Sequence, residues 1–284
     1  MSRAVGLIRL LRPVNCLMMG LAVLIGEVVA YRTLYLFPSF LGFVTAFTLT
    51  AASMVLNDYW DRAVDSINTP DRPIASGLIP TKSALVYAFI LMAIGLLSAF
   101  LTWVITFLLA IVSLSISLFY SYNGKKWGLI GNFFVSICIA IPLFYGGFLN
   151  GEINLDFGKL RILIFFDLMV FLANTGREVN KGIADIEGDK TRGIRTVAIR
   201  FGSKDAAILA MVFYLSAVVL SVFPWLLSLT SWIYLPLVVV ADLGFAMSSF
   251  ILLSNHSKES AVKVKKMVMI WMVVGLLAFV TGVP

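Results

Sequence analysis

Ala84 to Tyr120 reads ALVYAFILMAIGLLSAFLTWVITFLLAIVSLSISLFY, 37 residues without one charged side chain. Crossing a bilayer takes about 20 apolar residues in a helix, so this stretch holds two membrane helices joined by a short turn. An open sheet would leave unpaired backbone groups in lipid, and the short alternating segments of a β-barrel are absent. The rest of the chain has the same character. It is 60% hydrophobic over 284 residues and only 13% charged, against about 25% charged in an average soluble domain. The fold class is all-α, a polytopic membrane protein.

Hydropathy places about nine transmembrane helices, at roughly 14–34, 38–57, 83–100, 104–121, 129–149, 161–178, 205–223, 230–253 and 266–283. Arg3, Arg9 and Arg12 precede an apolar run, as in a signal peptide. That run is long and lacks a small-residue cleavage site, so it is taken as a retained first span. With the N-terminus in the cytoplasm, 19 of the 22 Lys and Arg residues fall on the cytoplasmic side, leaving Arg32, Lys159 and Arg161 opposite. This asymmetry is the positive-inside pattern. It accounts for the net charge of +7 through topology and anionic lipid, and nucleic acid is not an expected partner. No loop is long enough for a folded extramembrane domain, so residues 1–284 read as one transmembrane domain. No feature calls for an obligate protein partner. Cys16 and Cys138 sit inside apolar segments and read as small buried hydrophobes.

The acids are the main functional clue. Asp58, Asp61, Asp65 and Asp71 cluster after the second span, and Glu178, Asp185, Glu187 and Asp189 after the sixth. Both clusters continue directly from a membrane helix on the side rich in cations. At helical spacing, Asn57, Asp61 and Asp65 form one oxygen-bearing stripe, and Asp185 and Asp189 repeat the i, i+4 interval. Carboxylates stacked one turn apart repel, so a cation must compensate. Oxygen-only ligands suit Mg²⁺, which binds through one or two carboxylates plus substrate phosphates. Arg72 follows the first cluster, Lys181, Lys190, Arg192 and Arg195 surround the second, and Lys125 and Lys126 lie on the same face. Carboxylate, metal and cation together make a diphosphate site. A salt-bridged helix cap would explain either cluster alone. Two clusters at corresponding helix ends favour the diphosphate site, and their spacing suggests a weak repeat of four spans.

The run NDYWDRAVDSINTPDRPIASG (Asn57–Gly77) resembles the first signature of the UbiA superfamily of intramembrane prenyltransferases, and GREVNKGIADIEGDKTRGIRTVAIRFG (Gly176–Gly202) resembles its second. YSYNGKKWGLIGN (Tyr120–Asn132) is similar to the family's Tyr–Lys segment, with Gly124 where a Leu is usual, and Arg12-Pro13-Val14-Asn15 also fits. The resemblance covers nearly the whole chain. It implies nine helices around a central cavity, with both Asp motifs over its mouth and Mg²⁺ as cofactor. It also implies a polyprenyl diphosphate donor. Carried over residue by residue, Asn57, Asp58, Asp61, Asp65, Asp185 and Asp189 are metal-motif positions, and Asp61, Asp65, Asp185 and Asp189 are the catalytic candidates. Arg72, Lys125 and Lys181 are candidate diphosphate contacts, and Tyr122 is a weaker one.

The phrases DRPIASG and GREVNKGIADIEGD are most similar to the archaeal ether-lipid branch. Its reaction moves geranylgeranyl from geranylgeranyl diphosphate to the sn-2 hydroxyl of geranylgeranylglyceryl phosphate. An aromatic acceptor, as in quinone or chlorophyll synthesis, is the alternative. A phosphorylated acceptor needs further cations, and Lys190, Arg192, Arg195 and Arg200 are a surplus that topology would equally explain. A membrane transporter is the rival of another class. It would concentrate ionisable groups near mid-membrane, whereas here most acids lie at one face and three, Glu27, Asp167 and Asp242, lie within spans. Glu27 and Asp242, near the middle of their spans, are expected to face the protein interior.

Overall fold

The computed structural model describes residues 2–151, 157–191 and 193–283, with the side chains of Val64, Ile67, Asn68 and Thr191 left out. Among the described residues there is helix and no strand. The chain opens with α1 (Arg3–Leu11), α2 (Pro13–Tyr31), α3 (Leu36–Asn68), α4 (Thr81–Phe100) and α5 (Val104–Tyr122). A single 3₁₀ turn, Gly124–Trp127, leads into α6 (Leu129–Gly146). Then follow α7 (Phe157–Ala184), α8 (Ile186–Thr191), α9 (Val197–Phe201) and α10 (Ser203–Ser221). The last three are α11 (Phe223–Leu226), α12 (Tyr234–Ser254) and α13 (Lys258–Gly282).

Among the described residues, eight helices are long and apolar enough to cross a membrane: α2 to α6, α10 (continuing into α11), α12 and α13. The ninth expected span corresponds to α7. It is 28 residues long but interrupts its apolar run with Arg161 and Asp167 and ends on Arg177, Glu178 and Lys181. Two helices overrun the limits that hydropathy set. α3 has 33 residues, about 50 Å at 1.5 Å per residue, well beyond the ~30 Å hydrocarbon core. Its final turns carry the first acid motif. α7 likewise continues past residue 178 into the second.

The described residues divide into two compact units. The first comprises Met1–Glu27, Thr33–Gly124 and Ile141–Ile153, and the second Val28–Arg32, Lys125–Ala140 and Asn154–Pro284.

In the first unit α3 packs against α4, α5 and α1. α2 meets the end of α6 at glycines. A Cβ on Gly26 would overlap the Leu143 carbonyl, and one on Gly146 would overlap the Val23 carbonyl, so both positions need a residue without a side chain. Beside this crossing Glu27 is wholly buried. Its carboxylate accepts from Ser39 Oγ at 2.6 Å, the Tyr35 amide at 3.2 Å and Asn150 Nδ2 at 3.2 Å. These contacts tie the Glu27 side chain to the start of α3.

In the second unit α7 packs on α10, and α12 on α13. Gly176 lets the buried Tyr214 ring lie on α7. Phe166 and Phe279 stack at 3.8 Å between centroids. Ser136 Oγ of α6 accepts from Asn174 Nδ2 at 3.1 Å and from Thr175 Oγ1 at 2.9 Å. That contact fixes α7 one turn before its acid-bearing end. Asp242 accepts from Ser221 Oγ at 2.7 Å, so Glu27 and Asp242 both meet hydrogen-bond partners inside the protein; Asp167 is half-buried.

Candidate active site

In the first unit, α3 ends because Pro70 cannot continue it. The segment that follows, Asp71–Pro80, folds back as a tight turn. The Ser76 amide donates to the Arg72 carbonyl at 2.8 Å and the Ile79 amide to the Pro73 carbonyl at 2.9 Å, while Gly77 takes φ 75°. Ile74 and Ile79 anchor this turn in the core with Leu10 and Val55. The result is that Arg72 returns to the helix it follows. Its Nη1 donates to Asp65 Oδ2 at 2.6 Å and to Asp58 Oδ1 at 3.3 Å. Asp58 Oδ1 also accepts from Arg12 Nη2 at 2.8 Å. Arg12 sits between α1 and α2 with φ 52°, a conformation costly for a side-chain-bearing residue.

Asp58 and Asp65 are therefore buried, Asp65 to 1% exposure, and matched to guanidinium groups. Asp65 Oδ1 also accepts from Thr69 Oγ1 at 3.1 Å. Asp61 lies on the half-exposed side, where Asn57 Nδ2 donates to its Oδ2 at 3.3 Å. The expected stripe thus resolves into an outward pair, Asn57 and Asp61, and an inward pair, Asp58 and Asp65, seven residues apart and bridged by Arg72. Tyr122 is exposed and meets Trp60 edge-on at 6.0 Å. Outside the spans, Arg9 donates to Asp71 at 2.6 Å and holds that carboxyl below the usual carboxylate range.

In the second unit, α7 and α8 are separated by Asp185, which is exposed. The Asp189 amide donates to the Asp185 carbonyl at 2.8 Å, so the two aspartates stay one helical turn apart across the break. Asp189 is half-buried. Lys181 Nζ reaches Glu178 Oε2 at 3.1 Å, and Arg177 reaches Glu178 Oε1 at 2.9 Å. Glu178 is buried and orients both cations. The basic segment beginning at Lys125 joins the same unit through Gly128. Its φ is +59°, and a Cβ there would overlap the Arg195 carbonyl. Lys125 and Lys126 are thereby brought near the Arg195 loop. Arg192 lies outside the described residues.

Among the described residues, no three His, Cys, Asp or Glu side chains gather closely enough to hold a metal ion alone. Each unit offers instead two oxygen donors one turn apart. Mg²⁺ commonly takes one or two carboxylates and fills its remaining positions with substrate phosphate and water. The donor sets fit a magnesium ion that arrives with a diphosphate, and lack the nitrogen or sulfur ligands of a structural zinc.

Residues 17–277 match the UbiA prenyltransferase family. The chain belongs to the UbiA prenyltransferase family. It is 34% identical over 275 residues to the digeranylgeranylglyceryl phosphate synthase of Methanosphaera stadtmanae, covering 97% of this chain and 98% of that one. A solved digeranylgeranylglyceryl phosphate synthase, 29% identical, superposes with a TM-score of 0.83 over 99% of both chains. A UbiA homolog from Archaeoglobus fulgidus, bound to GPP and Mg²⁺, shares the fold at 19% identity with a TM-score of 0.72, over 96% of this chain and 99% of that one. This UbiA protein is thus a multi-pass membrane prenyltransferase.

Two UbiA site neighbours escaped the sequence. Arg12 was legible as a topological charge and as part of the Arg12-Pro13-Val14-Asn15 resemblance, but nothing local links it to Asp58, 46 residues away. Glu178 was counted among the acids but not given a role. Its i, i+3 interval to Lys181 was the available signal.

Proposed function

We propose that this chain transfers geranylgeranyl from geranylgeranyl diphosphate to the sn-2 hydroxyl of geranylgeranylglyceryl phosphate, with its motif-bearing helix ends in the cytoplasm. The observation that carries the acceptor assignment is end-to-end similarity to an archaeal synthase of that activity, 34% over 97% of this chain. The motifs support the donor chemistry. Asn57 with Asp61 in the first unit, and Asp185 with Asp189 in the second, are the residues that would hold Mg²⁺. When bound, the metal supplies positive charge to the diphosphate oxygens that become the leaving group.

The chain's own groups do the rest. Lys125, Lys181 and Arg72 neutralise phosphate oxygens, and Glu178 keeps Lys181 in place. Arg72 is engaged by Asp65 and Asp58, so its service to a diphosphate requires an exchange of partners. That exchange would release Asp65, which is the basis for keeping Asp65 among the catalytic candidates. Asp58 remains with Arg12 and acts as a positioning residue. Tyr122 is the weakest of the substrate contacts, standing exposed against Trp60. Cleavage of the allylic carbon–oxygen bond leaves a carbocation that must be kept from water, and the apolar spans supply that environment.

A transfer assay with labelled geranylgeranyl diphosphate, offering geranylgeranylglyceryl phosphate and 4-hydroxybenzoate side by side, tests the assignment. Label is expected on the glycerol ester. Label on the aromatic compound alone would overturn it.

A further inference from the structure

The second unit contains a cavity of about 410 Å³ between the start of α6, α9 and the start of α10. Its apolar wall is Leu129, Val197, Phe201 and Leu209, and its polar rim is Arg195, Arg200 and Asp205. The volume lies within the roughly 300–1,000 Å³ typical of small-ligand sites. Phe201 is 65% exposed, although its ring is large and apolar and stands among charged neighbours.

The backbone on either side of the two exposed arginines is hydrogen-bonded. The Ile194 amide donates to the Asp189 carbonyl at 3.0 Å, and the Gly193 amide to the Lys190 carbonyl at 3.1 Å, closing a turn directly before Arg195. Thr196 caps α9 by accepting from the Ile199 amide at 3.3 Å, and the Arg200 amide donates to the Thr196 carbonyl at 3.0 Å. The Arg195 carbonyl rests against Gly128. Arg195 therefore follows a backbone bond to Asp189 of the second acid motif, and Arg200 lies on α9, capped by Thr196.

We infer that this cavity is the docking site for the phosphate head and glycerol of a prenylated glycerol phosphate, the acceptor of the proposed reaction, on which this inference rests. Three chemical features must be met together. Two arginines line the cavity, and guanidinium groups recognise a phosphomonoester. The apolar wall takes the first part of a hydrocarbon chain. Asp205 is a carboxylate beside two arginines, which disfavours a bare anion but accepts a hydrogen bond from a free hydroxyl. A prenylated glycerol phosphate with one unsubstituted hydroxyl carries all three; a diacylated phosphatidate lacks the hydroxyl and inorganic phosphate lacks the chain.

The test measures binding of labelled geranylgeranylglyceryl phosphate to the purified full-length protein in zwitterionic nanodiscs, without donor or Mg²⁺, together with steady-state kinetics. The double variant Arg195→Ala/Arg200→Ala is expected to raise the acceptor Kd and KM tenfold or more while the donor KM stays within twofold, which also shows that the variant is folded. Geranylgeranylglycerol and inorganic phosphate should fail to compete. A diacylated phosphatidate should compete at least tenfold more weakly than the acceptor, and Asp205→Asn should narrow that gap. An unchanged acceptor Kd in the double variant would overturn the assignment. So would a phosphatidate that competes equally, which would make the cavity a general anionic-lipid site. If the ester binds through both arginines and yet receives no label, the cavity assignment stands and the proposed reaction fails. If label transfers with the acceptor KM unmoved in the double variant, the reverse holds.

Discussion

Asp58 separates a structural role from a metal-binding one, and Asp58→Asn exposes the difference. The Asp58 side chain is 5% exposed and its Oδ1 faces Arg12 at 2.8 Å and Arg72 at 3.3 Å, whose side chains are 36% and 29% exposed. Removing one partner of a fully buried pair costs about 3–5 kcal/mol. Here the arginines reach solvent, and the asparagine oxygen still accepts one hydrogen bond, so screening reduces the loss to about 2–3 kcal/mol. At about 2–4 °C per kcal/mol for a chain of 150–250 residues, the thermal midpoint falls by about 4–12 °C. Size-exclusion chromatography of heated, detergent-solubilised protein reads that shift. Arg12→Gln introduced into the Asp58→Asn background should cost less than Arg12→Gln alone, with a coupling of about 1 kcal/mol or more. The half-saturating Mg²⁺ concentration in the transfer assay should stay within twofold. A midpoint that does not move, with a Mg²⁺ requirement raised tenfold, would refute the structural assignment and return Asp58 to the metal.

Asp61→Ala and Asp185→Ala should each lower the transfer rate by about 10²–10³, the scale of losing one preorganised electrostatic contribution to a leaving group. Chelation by EDTA should abolish the rate, Mg²⁺ should restore it, and an activity loss under tenfold in both variants would count against the metal assignment. Gly26→Ala should destabilise by about 1–3 kcal/mol through overpacking, because the added methyl meets the Leu143 carbonyl rather than a movable side chain; unaltered thermal unfolding would show that the α2–α6 crossing can open. The depressed Asp71 carboxyl contributes stability that is present above its ordinary pKa and lost as pH falls through the lower folded value. Both partners are exposed, so at pH 7 Arg9→Ala should leave the unfolding midpoint unchanged within error, and a large drop would mean that Arg9 does more than pair with Asp71.

Most of the helical architecture was legible because its cause is local: long apolar runs have one stable form in lipid. What escaped depended on how the chain returns on itself. The i, i+4 spacing groups Asn57, Asp61 and Asp65 in one stripe, of which Asn57 and Asp61 share a hydrogen bond. In the structure Asp65 pairs across two turns with Asp58, because the turn after Pro70 carries Arg72 back onto α3. The turn residues DRPIASG were visible, but the direction in which they aim Arg72 is set by burial of Ile74 and Ile79, a tertiary fact. Hydropathy places no helix before residue 14, yet α1 forms there, with Gly6 and Leu10 on its buried face and Val5 and Ile8 on its exposed one. Three arginines at topologically meaningful positions obscured a helical period. α7 carries charge within its apolar run, at Arg161 and Asp167, and again in the turns that carry its chemistry. Functional helix ends in this chain are therefore the places where the membrane-span signal weakens, and the local acid spacing, rather than hydropathy, is what marks them.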